Sequence, residues 1–313
     1  MKITNILILT ISVGLLTSCG GNNNKAENKQ AIDTNIVDSS FAKTNIVDSV
    51  SLENDKTLSS SKLEETPAPS FGCQSTPIDV SNTKSHNLKE VIVHSPKEFF
   101  KSVYNNNTKI IIDFDDTIRE NLSLEFVKNL TIEGGREHKT VFATKPNTLA
   151  SIDIIDCNNI TLRNLEIGQK VMPKKGSGAS IYFDNTKNVT IDRCKIYNGD
   201  YGISFTGDDI CNVYNTEFCN ILQHGVFIKR PKNISFVNCD FHDCGNPINL
   251  VNVINPVSFE KCCIVCNSSN SGFSIKEKST FTDCLIQTST PFKDESKGKA
   301  VFNNCKIEEI EGL

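Results

Sequence analysis

Ile234-Ser235-Phe236-Val237-Asn238-Cys239-Asp240-Phe241 is one copy of a motif that this chain repeats. The same alternation returns at Ile160–Ile167, Val189–Ile196, Cys211–Phe218, Val257–Ile264, Ser279–Ile286 and Ala300–Ile307. Successive copies are offset by 29, 22, 23, 23, 22 and 21 residues. Strand-like alternation inside a period of this length marks a solenoid. Units with such short strands bury no core alone. Stacked, each strand pairs with the copy above and below at about 4.8 Å.

Alternation assigns the columns. Ile167, Ile196, Phe218, Phe241, Ile264, Ile286 and Ile307 form one inward ladder, and Leu165, Cys194, Thr216, Cys239, Cys262, Cys284 and Cys305 a second. The residue before each member of the second ladder is Asn164, Arg193, Asn215, Asn238, Lys261, Asp283 or Asn304. Asn tolerates left-handed turn geometry, and its amide can bond the next copy along the stack. A third strand per coil is legible at 180–183, 202–205, 225–228, 247–250 and 272–275.

Three strands per coil and an Asn ladder at a sharp turn resemble the right-handed parallel β-helix of the pectin-lyase-like superfamily, over roughly residues 108–313. The expected fold is therefore all-β, a right-handed parallel β-helix solenoid of about seven to eight coils. Ser95-Pro96 sets an N-cap and a first-turn proline, and Phe99, Phe100, Val103 and Tyr104 follow on one helical face. This predicts a short N-terminal helix capping the first coil, as caps do in that superfamily. At the other end no second capping helix is legible. An acidic tail, Glu308–Glu311, or the 293–299 loop is left to blunt the final edge.

The expected organisation has three parts. Residues 1–19 read as a signal peptide: an apolar run too short to span a bilayer, closed by Leu16-Thr17-Ser18-Cys19. That ending resembles a bacterial lipobox, which implies lipidation of Cys19, a membrane anchor, and residence in the cell envelope, with the outer membrane expected. Residues 20–90 form a polar tether and transition, in which Thr34–Ser39 recurs as Thr44–Ser49. Residues 91–313 form the capped solenoid.

Charge is balanced, with 33 basic and 37 acidic residues and a net charge of −4. Without a basic stripe, nucleic acid is not an expected partner. The thirteen cysteines suit disulfides in an exported protein, but five stand on an inward ladder, and Cys211 replaces Val189 and Ile234 in another core column. Cys263-Ile264-Val265-Cys266 has CxxC spacing, yet residues three apart on a strand face opposite ways, so no metal site is expected there. Cys244 and Cys266 are the pair best placed for a disulfide.

In the superfamily that this chain resembles, ligands lie along the strand that opens each coil. Outward positions on that strand include Asp153, Tyr182, Asp184, Ser204, Thr206, Phe227, Lys229, Asn249, Ser274 and Lys276, and the turns add Asp200, Tyr201, Asp208, Asp209, His224, Arg230, His242 and Asn246. From these, Tyr182, Asp184, Phe227, Arg230 and Asn249 are the expected ligand-binding residues. Asp209, Lys229 and His224 are the catalytic candidates if the protein is an enzyme. Gly207-Asp208-Asp209, His224-Gly225 and Lys229-Arg230 resemble the motif set of polygalacturonase-type hydrolases. Here, however, the acidic pair follows its strand instead of preceding it, and the His spacing is shorter. A polar turn explains the acidic pair equally well. A lyase would need a Lys or Arg base and a cation such as calcium to neutralise a uronate. Three functions stay open: an extended-glycan binding or processing module, a polysaccharide lyase or glycoside hydrolase, and a structural or protein-contact module. No metal or cofactor is otherwise expected.

Overall fold

Residues with positive φ set the corners of every coil. Asn164, Arg193, Asn215, Asn238, Lys261, Asp283 and Asn304 all have φ between 48° and 55°, the left-handed region that lets one residue turn a strand sharply. The computed structural model describes residues 77–80, 87–135, 140–145, 150–176, 178–207, 209–267 and 273–311. Cys19, the expected signal peptide and most of the expected tether lie outside the described residues.

Between the corners run three sides of parallel strands. The first side is a sheet of ten strands, from Lys89–Val93 through Asn158–Arg163 and Asn233–Val237 to Ala300–Asn303. The second side holds Thr140–Thr144, Leu165–Gln169, Lys195–Tyr197, Cys263–Cys266, Leu285–Thr288 and Lys306–Glu309. The third holds Leu122–Glu125, Ala150–Ile155, Ala179–Asp184 and Tyr201–Phe205. In the middle coils the second and third sides are continuous, as Glu217–Lys229 and Asp240–Val251. The register advances by one repeat per coil, with Val189 beside Cys211 and Cys211 beside Ile234.

The solenoid has about nine turns, more than the seven to eight expected. The difference lies before residue 151, where Lys89–Val93 adds a strand beside Thr108–Ile112. Those early coils lack the Asn-Cys signature that makes the later ones legible.

The core follows the ladders. Ile167, Ile196, Phe218, Phe241, Ile264 and Ile286 are fully buried. Phenyl rings stack coil on coil: Phe218 on Phe241 at 4.5 Å, and Phe236, Phe259, Phe281 and Phe302 at 4.9–5.0 Å. Ile307 departs from the expected ladder and is 43% exposed, because no coil follows it among the described residues. There Phe292 folds back against Phe273 and Phe302.

Asn side chains stitch the corners. Asn238 Nδ2 donates to Asn215 Oδ1 at 2.8 Å. Arg193 and Lys261 interrupt that ladder, and Asp192 fills in by accepting from Asn215, Arg163 and Arg193. A second ladder, not legible in the repeat, links Asn159 to Asn129 and Asn129 to Asn107. Asn215 also exchanges two hydrogen bonds with the backbone of Ile78.

The helix forms over Pro96–Ser102, with Ser95 Oγ capping Glu98 N. Phe99 and Val103 are buried, and Phe99 meets Phe142 edge-on at 5.8 Å. Tyr104 falls past the helix end and is exposed. The described cysteines form no disulfide with one another. Cys244 and Cys266, the expected pair, are both buried in the hydrophobic core and form no disulfide. No helix among the described residues is long and apolar enough to cross a membrane.

Candidate functional site

The third side gathers most of the expected ligand-binding residues. Parallel register sets them in rows. Asp153 pairs with Tyr182, Tyr182 with Ser204, Ser204 with Phe227, and Phe227 with Asn249. A parallel row joins Tyr201, His224 and Asn246. These rows place aromatic faces, an imidazole and two carboxamides on successive coils.

The rings make a continuous surface. Tyr201 stacks on His224 with centroids 5.6 Å apart and tilts against Phe227 at 5.5 Å, and His224 lies 6.2 Å from Phe227. Gly202 and Gly225 allow the backbones beneath to approach closely, since a Cβ on Gly202 would sit 2.3 Å from Gly225 O. Tyr182 is anchored one coil earlier by its hydroxyl, 3.0 Å from Thr206 Oγ1. Ser204 was expected to face outward, but only 7% of it is exposed, because Tyr182 and Phe227 flank it in register.

Beyond the rings, Asn249 Nδ2 lies 3.0 Å from His224 Nε2. Asn249 also lines a cavity of about 200 Å³ with Asn246, Ser274, Ile275 and Lys276. Burial pushes the His224 imidazole below its usual pKa, against the opposing pull of Asp200. Its Nδ1 is buried with no hydrogen-bond partner. The wall is fixed by fully buried Asp200, whose Oδ2 accepts from Gly176 N at 2.5 Å and from Gln223 Nε2 at 2.7 Å. At the other end, burial raises the Asp153 carboxyl to about 6, with nearby Glu125 adding to the effect.

The catalytic candidates do not converge. Asp209 is 1% exposed. Its Oδ1 accepts from Thr186 N at 2.8 Å and its Oδ2 from Gly207 N at 3.1 Å. The carboxylate closes a turn instead of facing the rings, as a polar Gly-Asp turn would have it. Asp208 lies outside the described residues. Lys229 and Arg230 are exposed at the end of their strand, where Arg230 reaches Thr206 O at 3.5 Å. Asp184 is half-buried beside Gly207. His224 alone of the three catalytic candidates lies among the rings.

Two features of this face escaped the sequence. Asp153 was one of many outward residues, and only its burial singles it out. Tyr201 and Asn246 were placed in turns, yet they belong to the row of His224. A separate cluster, Glu217, Cys219 and His242, lies on the second side. Its signal was present as Glu-x-Cys followed one repeat later by Asp-x-His.

No curated protein matches this chain. Residues 177–312 match the family model described as a right handed beta helix region. Together with the parallel coils and their inward ladders, that match establishes the fold as a right-handed parallel β-helix.

Proposed function

We propose that the third side of the solenoid binds an extended glycan without cleaving it. The observation that carries this reading is the tiling of Tyr201, His224 and Phe227, bordered by the amides of Asn249 and Asn246. Stacked on one another, the rings turn apolar edges outward, a strip that packs against the C–H groups of a sugar, and neighbouring amides and hydroxyls exchange hydrogen bonds with it. Repetition along the coils suits a polymer, since successive subsites come from one strand spacing each. Asp209, the carboxylate expected to pair with Asp184, is buried and bonded to backbone donors, which favours binding over hydrolysis at that pair. The leader and its Leu-Thr-Ser-Cys ending support a lipid-anchored role at the bacterial envelope, with residues 20–90 holding the binding domain away from the membrane.

The test is a glycan array probed with the full chain, followed by titration of the best binder. Tyr201→Ala and Asn249→Ala should each weaken binding roughly 10-fold or more, with the melting temperature little changed. Reducing-end and unsaturated-product assays should stay silent on the same glycan. Turnover would replace this reading with an enzymatic one, and binding that ignores both substitutions would move the site off this face.

A further inference from the structure

On the second side of the solenoid, away from the rings, Glu217, Cys219 and His242 form a cluster, with Asp240 beside Glu217 in register. Glu217 and Cys219 stand two residues apart on one strand, on either side of buried Phe218, so both point outward. Asp240 and His242 repeat this around Phe241, one coil on. The register pairs Glu217 with Asp240 and Cys219 with His242. The ligand atoms of Glu217, Cys219 and His242 all lie within 4.8 Å of one another. Glu217 Oε1 is 3.1 Å from His242 Nε2.

Two further observations mark the cluster as more than a surface ion pair. First, Asp240, beside Glu217 in register, keeps Oδ1 buried with no hydrogen bond, so a carboxylate oxygen next to the cluster lacks a partner. Second, His242 Nδ1 meets Asp243 Oδ2 at 2.8 Å. A histidine that donates its far N–H to a carboxylate has its other nitrogen aimed and made more basic, the usual support of a metal-bound imidazole. Here that nitrogen is Nε2, which faces Glu217.

The donor set selects the metal. One thiolate, one imidazole and carboxylate oxygens suit a borderline cation of the zinc class, whereas calcium and magnesium take oxygen ligands. Tetrahedral ligands about 2.0–2.3 Å from such an ion lie roughly 3.3–3.8 Å apart. The observed spread therefore closes with side-chain shifts of about 1 Å. Lys195 competes, since its Nζ lies 2.7 Å from Glu217 Oε1 and must move aside.

The geometry points to a tetrahedral zinc-class site made by Glu217, Cys219 and His242, its fourth position open to water, with Asp243 as its positioning residue. The ion would clip two consecutive coils together. Loading it displaces the Cys219 thiol proton and the His242 Nε2 proton to solvent and changes no oxidation state. The site stands apart from the glycan face, so either proposal can fail alone.

The experiment is titration of the chelator-treated full chain with Co²⁺, a spectroscopic substitute for Zn²⁺. One equivalent should bind per chain, with tetrahedral visible bands and a thiolate-to-cobalt charge-transfer band in the near ultraviolet. Zn²⁺ should displace it. Cys219→Ser should abolish the charge-transfer band, and His242→Ala should lower affinity at least about 10-fold. Asp243→Asn, which leaves every ligand in place, should keep the spectrum and weaken binding about 10- to 100-fold. Absence of saturable binding at about 100 μM Co²⁺ or Zn²⁺ would overturn the proposal. So would binding that Cys219→Ser and Asp243→Asn both leave unchanged, and the cluster would then be an ion-pair network only.

Discussion

Asp209 and Thr186 belong to successive coils, and Asp209 Oδ1 accepts the Thr186 N–H at 2.8 Å. The same carboxylate takes Gly207 N through its other oxygen. One buried side chain thus satisfies two backbone donors at a corner where the sheets leave none free. Asp209→Ala would strand both, at a cost of about 2–3 kcal/mol. Urea denaturation should show that loss, while glycan affinity should hold. A variant of unchanged stability would show that the carboxylate is not the cap of this turn.

Phe241 is fully buried and stacks on Phe218 at 4.5 Å. Phe241→Asp would place a charge against the axis with no partner, and should cost at least about 4 kcal/mol. Failure to accumulate soluble, folded protein is the expected outcome, and circular dichroism checks it. Phe241→Leu keeps an apolar side chain and should fold with a smaller loss.

Burial raises the Cys194 thiol to about 12 and holds those of Cys211, Cys244 and Cys262 well above the usual value. Thiolate is the reactive form, so these positions should resist alkylation at neutral pH in the folded protein and react fully in denaturant. Peptide mass mapping after pulse labelling measures this. Rapid native labelling of Cys194 or Cys262, or their recovery as disulfides, would place them outside the core.

Asp153 binds its proton more tightly in the folded state, with a pKa raised to about 6. The stability this contributes is fully present below the unfolded value near 3.8 and is lost as pH rises through about 6. Asp153→Asn keeps the uncharged form at every pH. It should therefore be more stable than the parent near pH 7.5, by roughly 1 kcal/mol after allowing for the half-exposed setting. The difference should fade near pH 4. Equal stability at both pH values would mean that the carboxyl is better solvated than its burial indicates.

The ladders were readable in the chain because a solenoid repeats one environment. Cys239, Cys262 and Cys284 occupy equivalent positions, so period and alternation together assign burial without any long-range knowledge. The corners at Asn215 and Asn238 were readable for the same reason, since left-handed geometry selects a few residue types locally. So was the helix at Pro96–Ser102, through its cap and first-turn proline.

The site was legible only as a set of outward positions. Alternation put Tyr182, Phe227 and Asn249 on one face, but it does not say how far a side chain swings or what covers it. Tertiary structure decided that Asp209 turns inward to backbone donors, that Ser204 is shielded between Tyr182 and Phe227, and that Tyr201 joins His224. It also decided that burial raises the Asp153 carboxyl to about 6, and that Glu217, Cys219 and His242 converge. The physical reason is one of range. Strand period and turn geometry depend on neighbours within a few residues, whereas burial, ring stacking and ligand convergence depend on what the adjacent coil, about 22 residues away, places alongside.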